Sequence, residues 1–581
     1  MKRDFGIPVT FGACAGFVHD GGGTTGILLL PAWGFEEFTI RRGWAGLAAM
    51  LADAGYCCLR FDWPGAGDSL GDAGSGVSLA DWTAAVEAAA DFLRSRHGVS
   101  RIVLAGHGVG ALLAPHLAAG LKADAVVTMA PQGEGRAGLR ELEAWSKLIA
   151  SFLRLPPESS EDRIHVAGHA ISKKLAEEIA ALRIAATKQP ALPVLAVLRA
   201  GTLGAVEWPK RLAEAGFSVT VADYAGYDGF LAHTMASVPP LADFAHVRDW
   251  LTASVPPGDR RQPAGQPTAI EPLHGPGFSE TPQLFGEEGR LFGILCRPEG
   301  QPSRGVYVLV NSGDNYHVGW ARMHVDFARQ LAARGFSSFR IDTAGIGDSE
   351  ATSGPLFYDP AQVRDVLTAV GHVAGMGLGP VLVSGRCSGG YASFQAAAGD
   401  PRIAGMVAVN PARLALAPGE TFEQVMSGGT SSLADYRKRA LSPRLLKDIL
   451  TGRVPVASIA AKGARMVKTQ LAVRFPALFG MVTGGNAVAR TARAQADAIR
   501  TRGAAAYLVY ADNDGGLDDL ARLFGRREPG THDHAIVRLV PDAEHNMTAP
   551  HARQAILSAM IDAAETVAAR HSGAVPLDPA A

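Results

Sequence analysis

Short runs of consecutive apolar residues alternate along this chain with longer stretches in which apolar residues recur every three or four positions. GILLLP (26–31), IVLAG (102–106) and VVTMA (126–130) in the first half have the length and uniform hydrophobicity of strands buried on both faces. So do VYVLV (306–310), VLVSG (381–385), MVAV (406–409), AYLVY (506–510) and IVRLV (536–540) in the second. Between them, GWAGLAAMLADAGY (43–56) and RMHVDFARQLAARGF (322–336) carry the period of amphipathic helices. Strands alternating with helices predict an α/β fold with a mostly parallel sheet flanked by helices. The pattern fails in mid-chain at SVPPGDRRQPAGQPTAIEPLHGPG, which is rich in Pro, Gly and charge and has no period. Two domains are therefore expected, residues 1–255 and 271–581, joined by a linker over 256–270.

The two halves repeat one another. Arg60-Phe61-Asp62, Gly65 and Gly67-Asp68-Ser69 return as Arg340-Ile341-Asp342, Gly345 and Gly347-Asp348-Ser349. AGHGVGALLAPHLAA returns as SGRCSGGYASFQAAA, and VVTMAP as MVAVNP, in the same order. A period this long points to tandem duplication of a whole domain rather than to a solenoid. Asp62 and Asp68 recur as Asp342 and Asp348, and these aspartates are expected to shape a loop.

Composition narrows the function classes. The 581 residues are 47% hydrophobic and 19% charged, as in ordinary globular chains. Lys and Arg number 55 against 56 Asp and Glu, so no global charge draws the chain to nucleic acid or an anionic membrane. Five scattered cysteines make no disulfide framework, and Cys57-Cys58 reads as strand core. No Cys/His spacing suits a metal, and GAGDSLGDAGSG lacks the Gly-Lys-Ser/Thr ending of a phosphate loop, so neither metal nor cofactor is expected. The N-terminal stretch has no apolar signal core and no run is long enough to span a bilayer, so the expected location is the cytoplasm, where a thiol stays reduced.

Chemistry concentrates in the second half. An apolar run ends in Gly385-Arg386-Cys387-Ser388-Gly389 and a helix-forming stretch follows, which reads as strand, sharp turn, helix. Asp512 and Asp514 follow the later strand AYLVY, and His545 follows the last strand, IVRLV. With the Asp-x-x-Gly-x-Gly-Asp-Ser segment, these features resemble the α/β-hydrolase superfamily over nearly all of both halves. Within it the chain is most similar to serine-aminopeptidase-like and exosortase-associated hydrolases, and its G-x-C-x-G elbow resembles those of dienelactone hydrolases and polyhydroxyalkanoate synthases. The resemblance implies Cys387 as nucleophile, His545 as base and Asp514 as the acid that orients it, with Asp512 as the alternative acid. It implies an oxyanion hole from the amides of Ser388 and Ser312, the latter within Asn311-Ser312-Gly313. The elbow glycines would admit a strained central residue, and the helix N-terminus would favour a thiolate. Ser388 as nucleophile is the lesser rival. His317 reads equally as a substrate contact and as a loop histidine. His551, Asp518 and Asp519 read as residues of helices, the two acids solvated.

The first half lacks this chemistry. Its elbow, Gly106-His107-Gly108-Val109-Gly110, has glycine at the nucleophile position, its late acid loop has no matching Asp, Glu207 lies too far along, and only His233 resembles the late histidine. An inactive first copy is expected, with His107 a satisfied turn residue. Residues 415–502 insert between strand and acid loop, as the cap of such hydrolases does, and from Ser431 to Arg502 carry 14 Lys/Arg against three acids. That excess suits an anionic substrate portion, such as coenzyme A or an acyl carrier protein. The expected function is hydrolysis of a small-molecule ester or thioester through an acyl-Cys387. Acyl transfer to an alcohol or amine in natural-product or polysaccharide assembly is the alternative, a non-catalytic scaffold the further one. A homo-oligomer is compatible with all three.

Overall fold

The computed structural model describes residues 6–131, 162–184, 191–201, 203–232, 234–261, 270–417, 485–525 and 535–571, with isolated positions in 140–151, 419–425 and 530–531. Two sheets organise them. The first holds β1 (Ile7–Phe11), β2 (Cys14–Asp20), β3 (Thr25–Leu30), β4 (Cys57–Phe61), β5 (Arg101–His107) and β6 (Ala125–Met129). After the separate hairpin of β7 (Arg163–Val166) and β8 (His169–Ser172), it resumes with β9 (Pro193–Leu198) and β10 (Ser218–Asp223). The second holds β11 (Leu273–Gly275), β12 (Phe278–Phe285), β13 (Leu291–Pro298), β14 (Val306–Val310), β15 (Ser337–Asp342), β16 (Val381–Arg386), β17 (Ile403–Val409), β18 (Ala505–Ala511), β19 (Gly530–Thr531) and β20 (Ile536–Val540).

The strand orders match. The first sheet runs β1-β2-β4-β3-β5-β6-β9-β10, and β12-β13-β15-β14-β16-β17-β18-β20 repeats that order, with β11 and β19 added at the edges. In each, an antiparallel pair precedes a parallel series. The central strands β3, β5, β14, β16, β17 and β18 are buried almost throughout, which explains their uniformly apolar sequences. Helices cover both faces.

The linker is not slack where it begins. Thr25 N donates to Pro257 O at 3.0 Å, and Arg261 binds Gly23 O and Asp20 against the first sheet. The domains meet across a buried, reciprocal contact. Arg60 Nη2 reaches Asp348 at 2.6 Å and Arg340 Nη1 reaches Asp68 at 2.9 Å, so equivalent arginines cross to equivalent aspartates. Arg42 and Arg322 repeat the exchange at the carbonyls of Ser349 and Ser69. This is the geometry of an isologous dimer interface within one chain. The aspartates also shape their loops: Asp62 accepts from Asp68 N at 3.0 Å and Asp342 from Asp348 N at 2.9 Å. Tyr316 and Trp320 of the second domain pack on Phe38 of the first, at ring separations of 5.3 and 5.9 Å.

Candidate active site

The site is built where β16 stops. Cys387 caps the helix Ser388–Gly399 with φ 53° and ψ −118°, the left-handed side of backbone space that a non-glycine residue adopts only under constraint. Its amide donates to Val409 O at 2.9 Å. The flanking glycines are required by close approach: a Cβ on Gly385 would meet Gly389 backbone atoms at 2.5 Å, and one on Gly389 would meet Asn311 O at 2.5 Å. The turn lifts the Cys387 side chain above the strand ends while leaving it 8% exposed.

His545 and Asp514 meet there. His545 Nδ1 lies 2.6 Å from Asp514 Oδ2, and Asp514, 1% exposed, also accepts from Gly516 N at 2.8 Å. Asp512 sits exposed on the same loop, its amide bound to Val540 O, and makes no contact with His545 among the described residues. Burial alone would push the Cys387 thiol up. The positive charge of the nearby His545, with Arg386 and the Tyr358 hydroxyl, brings it down instead, from 9.0 to about 7. Burial works against a charged His545, but Asp514 and then Cys387 outweigh it and raise His545 from 6.5 to about 10. The other cysteines behave oppositely: burial pushes Cys14 and Cys57 up to about 12, and Cys58 and Cys296 also upward. One thiol of five is thus set to ionise near neutrality, as a thiolate–imidazolium pair.

Ser388 opens the elbow helix, so its amide is among the first-turn N–H groups with no intrahelical acceptor. Ser388 is 1% exposed, and its hydroxyl accepts from Gly313 N at 2.9 Å, which ties the loop after β14 to the elbow. Ser312, 7% exposed, lies in that loop beside Asn311, whose side chain binds Gly313 O and Thr343 N. His317 does not serve as a substrate contact. It is fully buried at the domain interface, with Nδ1 2.7 Å from Asp342 and Nε2 2.5 Å from Asp68 of the other domain, so neither ring nitrogen is left for a ligand. Asp519 is likewise not solvated: it is 3% exposed and binds Leu414 N and Arg522. His551 lies exposed on the helix Pro550–His571.

Three residues escaped the sequence reading. Arg386, between elbow glycine and cysteine, is buried and donates to Asn546 Oδ1 at 2.9 Å and to His545 O at 3.4 Å. Asn410 bridges Ala511 N and His545 O. Tyr358 places its hydroxyl 3.6 Å from Cys387 Sγ. Arg386 and Asn410 sit inside quoted motifs and were findable there; Tyr358 lies in no motif.

In the first domain Gly108 takes φ 56° and ψ −117°, matching Cys387. A Cβ on Gly108 would meet Glu36 Oε2 at 2.5 Å, so a carboxylate fills the place of a nucleophile. His107 is fully buried between Glu36 at 3.0 Å and Tyr224 at 3.2 Å. Glu207 is exposed and pairs with Arg211. His233 and most of the 415–502 insertion lie outside the described residues; the helix Gly485–Thr501 closes that insertion. A cleft of about 360 Å³ opens between the domains, walled by Trp33, Trp63, Tyr316, Arg163 and Arg553; Cys387 is not among its walls.

A family model for serine aminopeptidases (S33) matches residues 41–177 and 301–514, more than half of the sequence and parts of both sheets. The chain belongs to this family of α/β hydrolases. It is an α/β-hydrolase enzyme that carries Cys387 at the elbow apex. Solved structures similar to it include the esterase Est1E from Butyrivibrio proteoclasticus with ferulic acid bound (14% identity, 43% of this chain and 99% of that one, TM-score 0.32). Others are a soluble variant of the Saccharomyces cerevisiae monoglyceride lipase with a substrate analogue (15%, 43% and 95%, 0.32) and carboxyl esterase 2 from Tuber melanosporum (15%, 50% and 87%, 0.29). No curated protein matches the sequence. No described helix is long and apolar enough to cross a membrane.

Proposed function

We propose that the second domain cleaves an ester or thioester through a covalent acyl-Cys387 intermediate. The observation that carries this reading is the Cys387 sulfur, held on a left-handed elbow and lowered to about 7 beside the His545–Asp514 pair. The thiolate attacks the acyl carbon while the carbonyl electron pair moves to oxygen, toward the amides of Ser388 and Ser312. Collapse expels the alcohol or thiol, which takes its proton from His545. Water, deprotonated by His545, then attacks the thioester and restores the thiolate. Asp514 holds the imidazole in the required tautomer throughout.

A second reading is acyl transfer, favoured by the sulfur itself: an S-acyl enzyme is an activated donor to an amine or alcohol. An acyl carrier protein or coenzyme A would suit the basic insertion as donor. In this proposal the two sheets descend from one duplicated unit whose first copy lost its nucleophile at Gly108. The matched elbow angles and the reciprocal Arg60 and Arg340 contacts support that descent. A thiolate enzyme would work in a reducing compartment such as the cytosol.

Intact mass after incubation with short and long acyl esters and thioesters tests the reading. An acyl adduct is expected on the wild-type chain and not on Cys387→Ala. No adduct and no turnover with any donor would overturn it. Amine or alcohol acceptors added to the acylated enzyme separate transfer from hydrolysis by the product formed.

A further inference from the structure

We propose that Tyr358 is a further catalytic residue: its hydroxyl donates a hydrogen bond to Cys387 Sγ and holds the sulfur as the thiolate. The inference rests on the reading of Cys387 as nucleophile and adds a group that neither elbow, acid loop nor histidine loop contains.

The placement of Tyr358 is built. The residue takes φ 55°, a left-handed conformation unfavourable for a bulky side chain. Its amide donates to Gln362 Oε1 at 3.2 Å, its ring packs on Tyr391 at 5.2 Å, and the next residue, Asp359, caps the helix Pro360–Ala374. This turn aims the hydroxyl at the sulfur, 3.6 Å away. Tyr358 is buried, and burial together with the neighbouring sulfur keeps its own hydroxyl protonated, so it stays a donor. The first domain supplies a comparison. Its matching helix, Leu79–His97, is capped by Ser78, and the preceding residue is Val77. Where the elbow carries glycine, the position equivalent to Tyr358 is a valine, which has no hydroxyl.

The proton balance is simple. In the resting pair the Cys387 proton sits on His545 and Tyr358 keeps its own. When the C–S bond forms and the carbonyl pair moves to oxygen, the sulfur loses its charge and the Tyr358 bond weakens. Tyr358 therefore favours the thiolate ground state, at some cost in intrinsic nucleophilicity. That trade gives a signature that lost packing would not.

The test measures the rate of mixed-disulfide formation at Cys387 with 2-hydroxyethyl disulfide against pH, by intact mass of the full chain, with Cys387→Ala as background. In Tyr358→Phe the apparent pKa of the reaction is expected to rise by about one unit. The plateau rate above it is expected to rise about threefold, because a more basic thiolate is the better nucleophile. Tyr391→Phe, which alters the packing neighbour, is expected to leave both unchanged. An unshifted or lowered pKa in Tyr358→Phe would show that the thiol donates to tyrosine, or that the contact is mere packing, and would overturn the inference. A wild-type Cys387 that titrates near 9 would instead sink the nucleophile reading.

Discussion

At the residue scale, the two titrating groups of the site face each other with their ordinary order reversed. Cys387 ionises near 7, below His545 near 10, so the thiolate–imidazolium pair fills the window between. Turnover, kcat/KM, is expected to rise with pH through about 7 and fall through about 10. Asp514→Asn removes the carboxylate that raises His545. The alkaline limb is then expected to move down toward the ordinary histidine range, with kcat falling on the order of 10²–10⁴-fold. A pH–rate profile of both forms checks the sign, and an unmoved alkaline limb would separate that limb from His545. Position in the chain pointed to Cys387, Asp514 and His545, because each follows a buried strand whose apolar run is plain. His317 was misread for a physical reason. Its sequence neighbours belong to the loop after β14, but Asp68 comes from the other domain, and no local pattern records that approach.

At the element scale, strands were legible where they are buried on both faces. The antiparallel additions β1, β2 and β11–β13 were not, since short or mixed runs such as IPVTF and FSETPQLF carry little signal against turns and loops. The β7–β8 hairpin has a further consequence for the site. Its tip, Gly168 at φ 83°, packs so tightly that a Cβ would meet Thr548 Cγ2 at 2.5 Å, three residues beyond His545. Met235 of the first domain also reaches the Gly313 loop, at ordinary contact distance, its Sδ 3.9 Å from where a Cβ would stand. The first domain thus touches both the histidine loop and the loop after β14. Gly168→Val is expected to lower kcat by about 10-fold to 100-fold by displacing the His545 loop, while the acyl adduct at Cys387 still forms. Single-turnover acylation and steady-state rates, taken together, check it. Unchanged kinetics would mean the hairpin tip yields without moving His545.

At the scale of the whole molecule, the interface that joins the domains is also where their equivalence breaks. Arg60 and Arg340 exchange aspartates symmetrically, but Glu37 precedes Asp62 by the spacing at which His317 precedes Asp342. The two are titrating groups of opposite charge type. Burial, followed by the neighbouring Asp62, overrides Arg41 and raises Glu37 to about 7; Asp342 and Asp68 override burial and raise His317 to about 10. Both folded-state values lie above the unfolded ones. Each group's contribution is therefore complete at low pH and lost as pH rises, Glu37 between about 4.5 and 7 and His317 between about 6.5 and 10. Asp348 acts in the opposite sense. Arg41 and Arg60 overcome its burial and hold it at about 2, so its contribution fades only in acid, below about 4. Stability from the interface is expected to peak in mildly acid solution and decline toward alkaline pH. His317→Gln keeps hydrogen-bonding capacity but cannot charge. It is expected to cost about 3 kcal/mol near pH 6, where it leaves Asp68 and Asp342 without their cation, and progressively less toward pH 10. The difference in thermal midpoint between the two proteins across pH 5–10 isolates this group from Cys387 and His545, which titrate in the same range in both. A difference that stayed constant with pH would show that His317 is neutral in the folded chain and adds no charge to the contacts that hold the two domains.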